Sequence, residues 1–280
     1  MTSSLQDIVC CMGQPLGRNP TQYMMEKAFA AANLDWRYLT LEVPPENLAA
    51  AVTGMKAMGF RGGNFASPHQ VSVVAHADRL SESVELIGAV NCLYVEDGEY
   101  VGENTDGKGF LQAFQELSDP SGQKVVILGA GGTARAISFE LALAGAREIV
   151  IANRSTDRGQ ALVDSLQSKV PSASLLEWSD DFVVDDQTDL LVQATAIGLR
   201  DAAARVPVVM DSLSDQLVVA DVIHNPPRTR FLREAAEQGC TLLDGIAMLV
   251  HQAARDFSIW TGIEPDKTVM RESVEEYFEL

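Results

Sequence analysis

Two periods of hydrophobic patterning take turns along this chain. Short apolar runs at 7–12 (DIVCCM), 36–43 (WRYLTLEV) and 60–65 (FRGGNF) read as strands. Between them, 21–32 (TQYMMEKAFAAA) and 45–58 (PENLAAAVTGMKAM) repeat apolar positions at helical spacing, the second with Pro45 in its first turn, where proline is favoured. A third helix is expected over 68–77 (PHQVSVVAHA). Strands separated by helices imply βαβ units and a mostly parallel sheet. Residues 89–104 break that rhythm, with two short runs flanking Asp97-Gly98, a strong hairpin signal.

After a helical segment at 106–118, the stretch DPSGQ (119–123) punctuates the chain as a linker would. A second alternating series follows, with strands expected at 124–129, 148–153, 174–178, 189–194, 217–222 and 240–244. The amphipathic run 245–262 and a last helix from about Glu264 close it. The acids of 179–189 (SDDFVVDDQTD) read as a solvated loop, and no internal repeat stands out.

Composition narrows the class. At 280 residues the length favours two domains, and 46% hydrophobic with 21% charged residues is ordinary for a soluble globular chain. A net charge of −18 argues against nucleic acid and anionic membrane as partners, so an anionic ligand needs locally placed cations or backbone N–H groups. No signal peptide or membrane-length apolar run is read, and four scattered cysteines without a CxxC pair fit a reducing cytoplasm. No cysteine, histidine and carboxylate cluster has metal-ligand spacing, so no metal is expected.

The strongest local chemistry is KVVILGAGGTARAISFELALAGA. A strand runs into Gly129-Ala130-Gly131-Gly132-Thr133-Ala134 and a helix follows, which is the G-x-G-x-x-G/A dinucleotide turn in its required context. The first glycine permits the turn and the second lets backbone approach a pyrophosphate. The small Ala134 lets helix and strand close up, and the helix N-terminus supplies unpaired donors. The next strand ends in Asn153-Arg154-Ser155-Thr156, with Arg158 a turn on, where an NAD site usually places Asp or Glu. Arginine and hydroxyls suit a 2′-phosphate, so NADP is expected over NAD, two solvated arginines being the plainer alternative.

In order, LIGAVNCL, GENTDGKGF, LGAGGTARA, ANRSTDR, DVIHNPPRTRFL and DGIAMLVHQAARDFSIWTG resemble the shikimate dehydrogenase family and its quinate- and aminoshikimate-oxidising relatives. The resemblance implies an α/β protein of two domains. A discontinuous substrate domain (1–106 and 244–280) would be joined to a Rossmann-type NADP domain with a doubly wound parallel sheet (107–243), as a monomer or homodimer. It places Asn64, Asn91 and Gln252 at a polyol substrate and Asp106 as catalytic carboxylate. Read without the family, Asp106 could be only a helix N-cap, and Gln252 a solvent-facing residue. Thr195, Gly198, Val222, Gly245 and Met248 fall on the family's nicotinamide-side segments.

The chain departs from the family at one corner. Its catalytic lysine falls on Gln70 and a neighbouring threonine on Ala66. Its carboxylate-binding serine segment aligns with residues 17–22, offering Arg18, Asn19 and Thr21 as substitutes, and a nearby tyrosine becomes His224. Gln70 orients a hydroxyl but exchanges no proton. The expectation is an NADP-dependent dehydrogenase interconverting 3-dehydroshikimate and shikimate, or a closely related hydroxylated cyclic carboxylate, with altered substrate or rate. A non-catalytic NADP-binding regulator is the alternative.

Overall fold

The structure, a computed structural model, describes residues 5–280. In chain order the elements are β1 (Asp7–Gly13), α1 (Thr21–Ala31), β2 (Trp36–Glu42), α2 (Leu48–Ala57), β3 (Gly62–Phe65), β4 (Arg79–Leu80), α3 (Glu82–Ile87), β5 (Cys92–Glu96), β6 (Glu99–Glu103) and α4 (Thr105–Gln115). There follow β7 (Lys124–Leu128), α5 (Gly132–Leu143), β8 (Glu148–Asn153), α6 (Thr156–Leu166), β9 (Ser174–Glu177), β10 (Leu190–Gln193), β11 (Val218–Asp221), α7 (Arg230–Glu237), β12 (Thr241–Leu243), α8 (Gly245–Thr261) and α9 (Lys267–Tyr277). The fold is α/β, in two compact units. One runs up to Thr105 and resumes at Gln252–Leu280; the other is Asp106–His251, so the second division falls inside α8.

The first unit carries a mixed sheet in the order β2-β1-β3-β5-β6-β4. β1 lies parallel to β2 and β3, whereas β5 runs antiparallel to both β3 and β6. The β5–β6 turn is the expected Asp97-Gly98 pair, both with positive φ, as a tight hairpin requires. Apolar side chains of β1, α2 and β3, among them Met12, Val52, Met55 and Phe65, meet Leu93 and Tyr100 in one buried cluster. The helix expected over 68–77 is not α-helical: a turn leads into one short 3-10 segment, Ser72–His76. Val71, Val73 and Val74 lose side-chain freedom in a helix, and only Val73 of the three is buried. His69 anchors the segment instead, its Nε2 donating to the Val43 carbonyl at 2.8 Å.

The second unit holds six parallel strands in the order β12-β11-β10-β7-β8-β9. The chain starts at β7, winds outward through β8 and β9, then returns to β10 beside β7 and winds the other way. This is the doubly wound dinucleotide topology, with its reversal between β7 and β10. Its core joins Val126, Leu128, Leu191 and Val219 of the sheet to Phe231 and Leu232 of α7. No helix among the described residues is long and apolar enough to cross a membrane. The four cysteines are reduced and buried: Cys10, Cys11 and Cys92 in the first unit, Cys240 in the second.

Candidate functional site

In the second unit the site forms where the strand order reverses. β7 runs straight into Gly129, whose φ of +110° disfavours any side chain, and a Cβ there would lie 3.0 Å from the Ala194 carbonyl oxygen. Gly131 caps α5 without a side-chain bond, and a Cβ on it would meet nothing within 4 Å. The first turn of α5 therefore offers open donors to an anion, while Ala134 is fully buried beneath it. A crevice of about 260 Å³ opens at this turn. Of the expected cofactor residues it is lined by Gly129, Gly131, Asn153, Arg154 and Thr195.

Ser155 and Arg158 do not line it; both are exposed around the start of α6. Nor do Gly132, Thr133, Gly198, Val222, Gly245 or Met248. Sequence reasoning missed Trp178, Ser179 and Asp180, which line the crevice from the end of β9. The available signal was positional: in a parallel sheet the carboxyl end of every strand faces the ligand side. A donor set of open backbone N–H groups with Arg154 fits a dinucleotide phosphate, although Asp180 brings a carboxylate to the same crevice.

The loop after β10 is fixed by Gln193, which is fully buried. Its Oε1 accepts from both the N–H and the hydroxyl of Thr195, each at 2.6 Å, and its Nε2 donates to the Ile197 carbonyl at 2.9 Å. It also donates to Asp221, which accepts from Ile223 N–H and the Thr229 hydroxyl. Burial outweighs those bonds and pushes the Asp221 carboxyl up to about 6. A Cβ on Gly245 would lie 2.4 Å from the Ile223 carbonyl, so glycine there lets α8 start hard against this segment. Burial also pushes the neighbouring His224 imidazole below its usual range, which favours the neutral ring.

Asp106 lies in the first turn of α4, half-buried. The next residue, Gly107, has no room for a Cβ, which would sit 2.4 Å from the Ala136 carbonyl oxygen on α5. The Asp106 end of α4 is thus held against the helix that opens from the glycine turn.

The first unit builds a polar centre of another kind. Asn64 sits in β3 between Cys11 of β1 and Cys92 of β5. Its Oδ1 accepts from the Tyr38 hydroxyl at 2.7 Å, and its Nδ2 donates to the Asn91 carbonyl at 3.3 Å and to Asp256 Oδ2 at 2.7 Å. Asn91 Oδ1 accepts from Thr105 N–H at 2.7 Å, and the Thr105 hydroxyl donates to Asp256 Oδ1 at 2.7 Å. Gln252, one turn before Asp256 on α8, donates its Nε2 to Asp256 Oδ2.

Three expected substrate amides, Asn64, Asn91 and Gln252, therefore belong to one network around Asp256, which is fully buried and which sequence reasoning did not single out. Its signal was an acid four residues beyond Gln252 on the same helix. Burial first, then the charges of Cys11 and Asp256, holds the Tyr38 hydroxyl well above its usual range. The substitutes for the carboxylate corner are occupied differently. Asn19 Oδ1 accepts from Thr21 N–H at 2.9 Å and so helps to start α1, Thr21 is buried, and Arg18 is exposed with a positive φ. Gln70 is half-buried in the turn before the 3-10 segment, its carbonyl accepting from Val90 N–H.

Comparison with known proteins gives the family of the chain. Residues 11–93 match the shikimate dehydrogenase substrate binding domain, 112–222 the shikimate / quinate 5-dehydrogenase profile and 245–275 the shikimate 5′-dehydrogenase C-terminal domain. Shikimate dehydrogenase (NADP(+)) of Methanopyrus kandleri is 43% identical over 277 residues, covering 97% of this chain and 96% of its own. The ligand-free crystal structure of 5-ketofructose reductase of Gluconobacter sp. strain CHM43 is 44% identical with a TM-score of 0.95, covering 99% of this chain and 100% of that one. Shikimate 5-dehydrogenase of Thermus thermophilus, in complex with NADP(H) and shikimate, is 30% identical with a TM-score of 0.87, covering 97% and 100%. With its three profile matches spanning most of its length and its full-length relatives, the chain belongs to the shikimate dehydrogenase family.

Proposed function

We propose that the chain is an NADP-dependent oxidoreductase interconverting a secondary alcohol and a ketone on a small polyhydroxylated substrate. The default pair is shikimate and 3-dehydroshikimate, or a closely related hydroxylated cyclic carboxylate. The observation that carries this is the placing of Asp106 at the head of α4, against the helix that springs from the glycine turn. NADP would be held by the open first turn of α5 and by Arg154, and it supplies a nicotinamide that accepts or returns a hydride. The alcohol O–H proton goes to an Asp106 carboxylate oxygen in oxidation and comes back from it in reduction.

Gln70 positions the hydroxyl but brings no positive charge. Loss of one stabilising donor costs about 10²–10³ in rate, so slowed turnover is expected rather than none. The altered carboxylate corner and the likeness to a 5-ketofructose reductase support assaying neutral polyhydroxylated ketones beside shikimate.

Replacing Asp106→Asn should lower turnover by about 10²–10⁴ while NADP binding survives. Turnover equal to that of the parent chain would remove Asp106 from the mechanism. Tight NADP binding by the parent chain, with no turnover across shikimate, quinate, aminoshikimate and neutral polyhydroxylated ketones, would point to the regulator instead.

A further inference from the structure

We propose that Asp180 is a cofactor-specificity residue: its carboxylate opposes the 2′-phosphate that Arg154 attracts, which narrows the preference for NADP and admits NAD. The inference deepens the reading of the glycine-turn crevice as a dinucleotide site and rests on it. Both residues line that crevice, Arg154 from just past β8 and Asp180 from the loop after β9.

The fold holds the carboxylate in place. Ser179, Asp180 and Asp181 form a short link between two buried aromatic residues, Trp178 and Phe182. The Trp178 indole N–H and the Phe182 backbone N–H both donate to the Pro207 carbonyl, each at 3.0 Å. The Trp178 backbone N–H donates to the Asn153 carbonyl at 3.2 Å, beside Arg154, and Pro207 itself lines the crevice. With the link pinned at both ends, the Asp180 backbone stays at the crevice wall.

The two acids of the link differ in their partners. Asp181 is paired with both terminal nitrogens of the Arg205 guanidinium. Asp180 accepts from the neighbouring Ser179 hydroxyl at 3.1 Å and forms no ion pair among the described residues. Arg154 forms none there either, so two opposite charges reach the crevice separately. A phosphate monoester carries roughly −1.5 to −2 charge at neutral pH and is repelled by a carboxylate. The 2′-hydroxyl of NAD instead donates to one, a role usually filled by an acid at the end of the second strand. Here that strand, β8, ends in Asn153 and leads into Arg154, and the acid arrives from beyond β9.

The test measures dissociation constants of NADPH and NADH by fluorescence titration of the full chain, in the parent and in Asp180→Asn and Asp180→Ser. Both substitutions should raise the preference for NADPH over NADH by ~3–10-fold, mainly through tighter NADPH, and the gain should shrink in high salt. An unchanged ratio in both variants overturns the proposal and leaves the dinucleotide reading intact. Equal loss of both cofactors would mark Asp180 as merely structural, and a gain indifferent to salt would not be one of charge; either result also overturns it. A parent chain that binds neither cofactor overturns the dinucleotide reading along with the proposal.

Discussion

The two polar centres are built on opposite principles. The phosphate end of the crevice in the second unit rests on backbone: Gly129 with its positive φ, the unfilled space over Gly131 and the uncapped first turn of α5, with side chains such as Arg154 and Trp178 around it. The centre of the first unit is made of side chains, with Asn64, Thr105 and Gln252 meeting on Asp256. Backbone sites are specified by which residues cannot be present, so their chemistry hardly changes while the glycines stay. Side-chain sites are respecified by one substitution. The difference predicts that cofactor class persists in relatives of this kind while substrate class drifts.

The sharpest way to break that contrast is at Gly129. Its φ and the close Ala194 carbonyl leave no place for a branched side chain, so Gly129→Val should weaken NADP binding by about 10² or more, with overpacking costing roughly 1–3 kcal/mol. Fluorescence titration and thermal unfolding read the two effects, and unaltered affinity would mean the turn does not carry the cofactor.

Asp221 comes next, through pH. Its folded-state pKa of about 6 lies above the ordinary 3.8, so the folded protein keeps this proton after the unfolded chain has lost it. Stability should therefore fall as pH rises from about 4 to about 6, by on the order of 3 kcal/mol, and level off above that. Asp221→Asn should flatten this part of a denaturation-versus-pH curve, and an unchanged slope would count against the raised carboxyl. Arg154→Ala should cost about tenfold in NADP affinity and leave NAD nearly untouched if the guanidinium holds a 2′-phosphate. Equal losses would shift the choice of cofactor away from this residue. Smallest, Tyr38→Phe removes the donor to Asn64 and should cost about 1 kcal/mol of stability by chemical denaturation.

How much the chain declared in advance follows the same division. The glycine turn and the Asp97-Gly98 hairpin were legible because each is a local backbone requirement written in adjacent residues. The helix expected over 68–77 failed because its apolar spacing was helical while its valines were not helix formers and His69 tied the backbone elsewhere. The helices α3 and α7 were not anticipated, although Ser81 and Thr229 cap them with their side chains. The role of Asp256 was hard to read for a deeper reason, although Gln252 lies only four residues before it. Two of its partners lie 192 residues away at Asn64 and 151 away at Thr105, and no local pattern encodes so distant a meeting.

The reduced cysteines offer a practical use. Burial raises the Cys11 thiol to about 12 and pushes Cys10 and Cys92 up as well, so in the folded state all three resist alkylation. Cys240, also raised by burial, belongs to the other compact unit. A thiol-reactive reagent followed by peptide mass spectrometry would thus time the local opening of each half of the chain separately, with no label introduced.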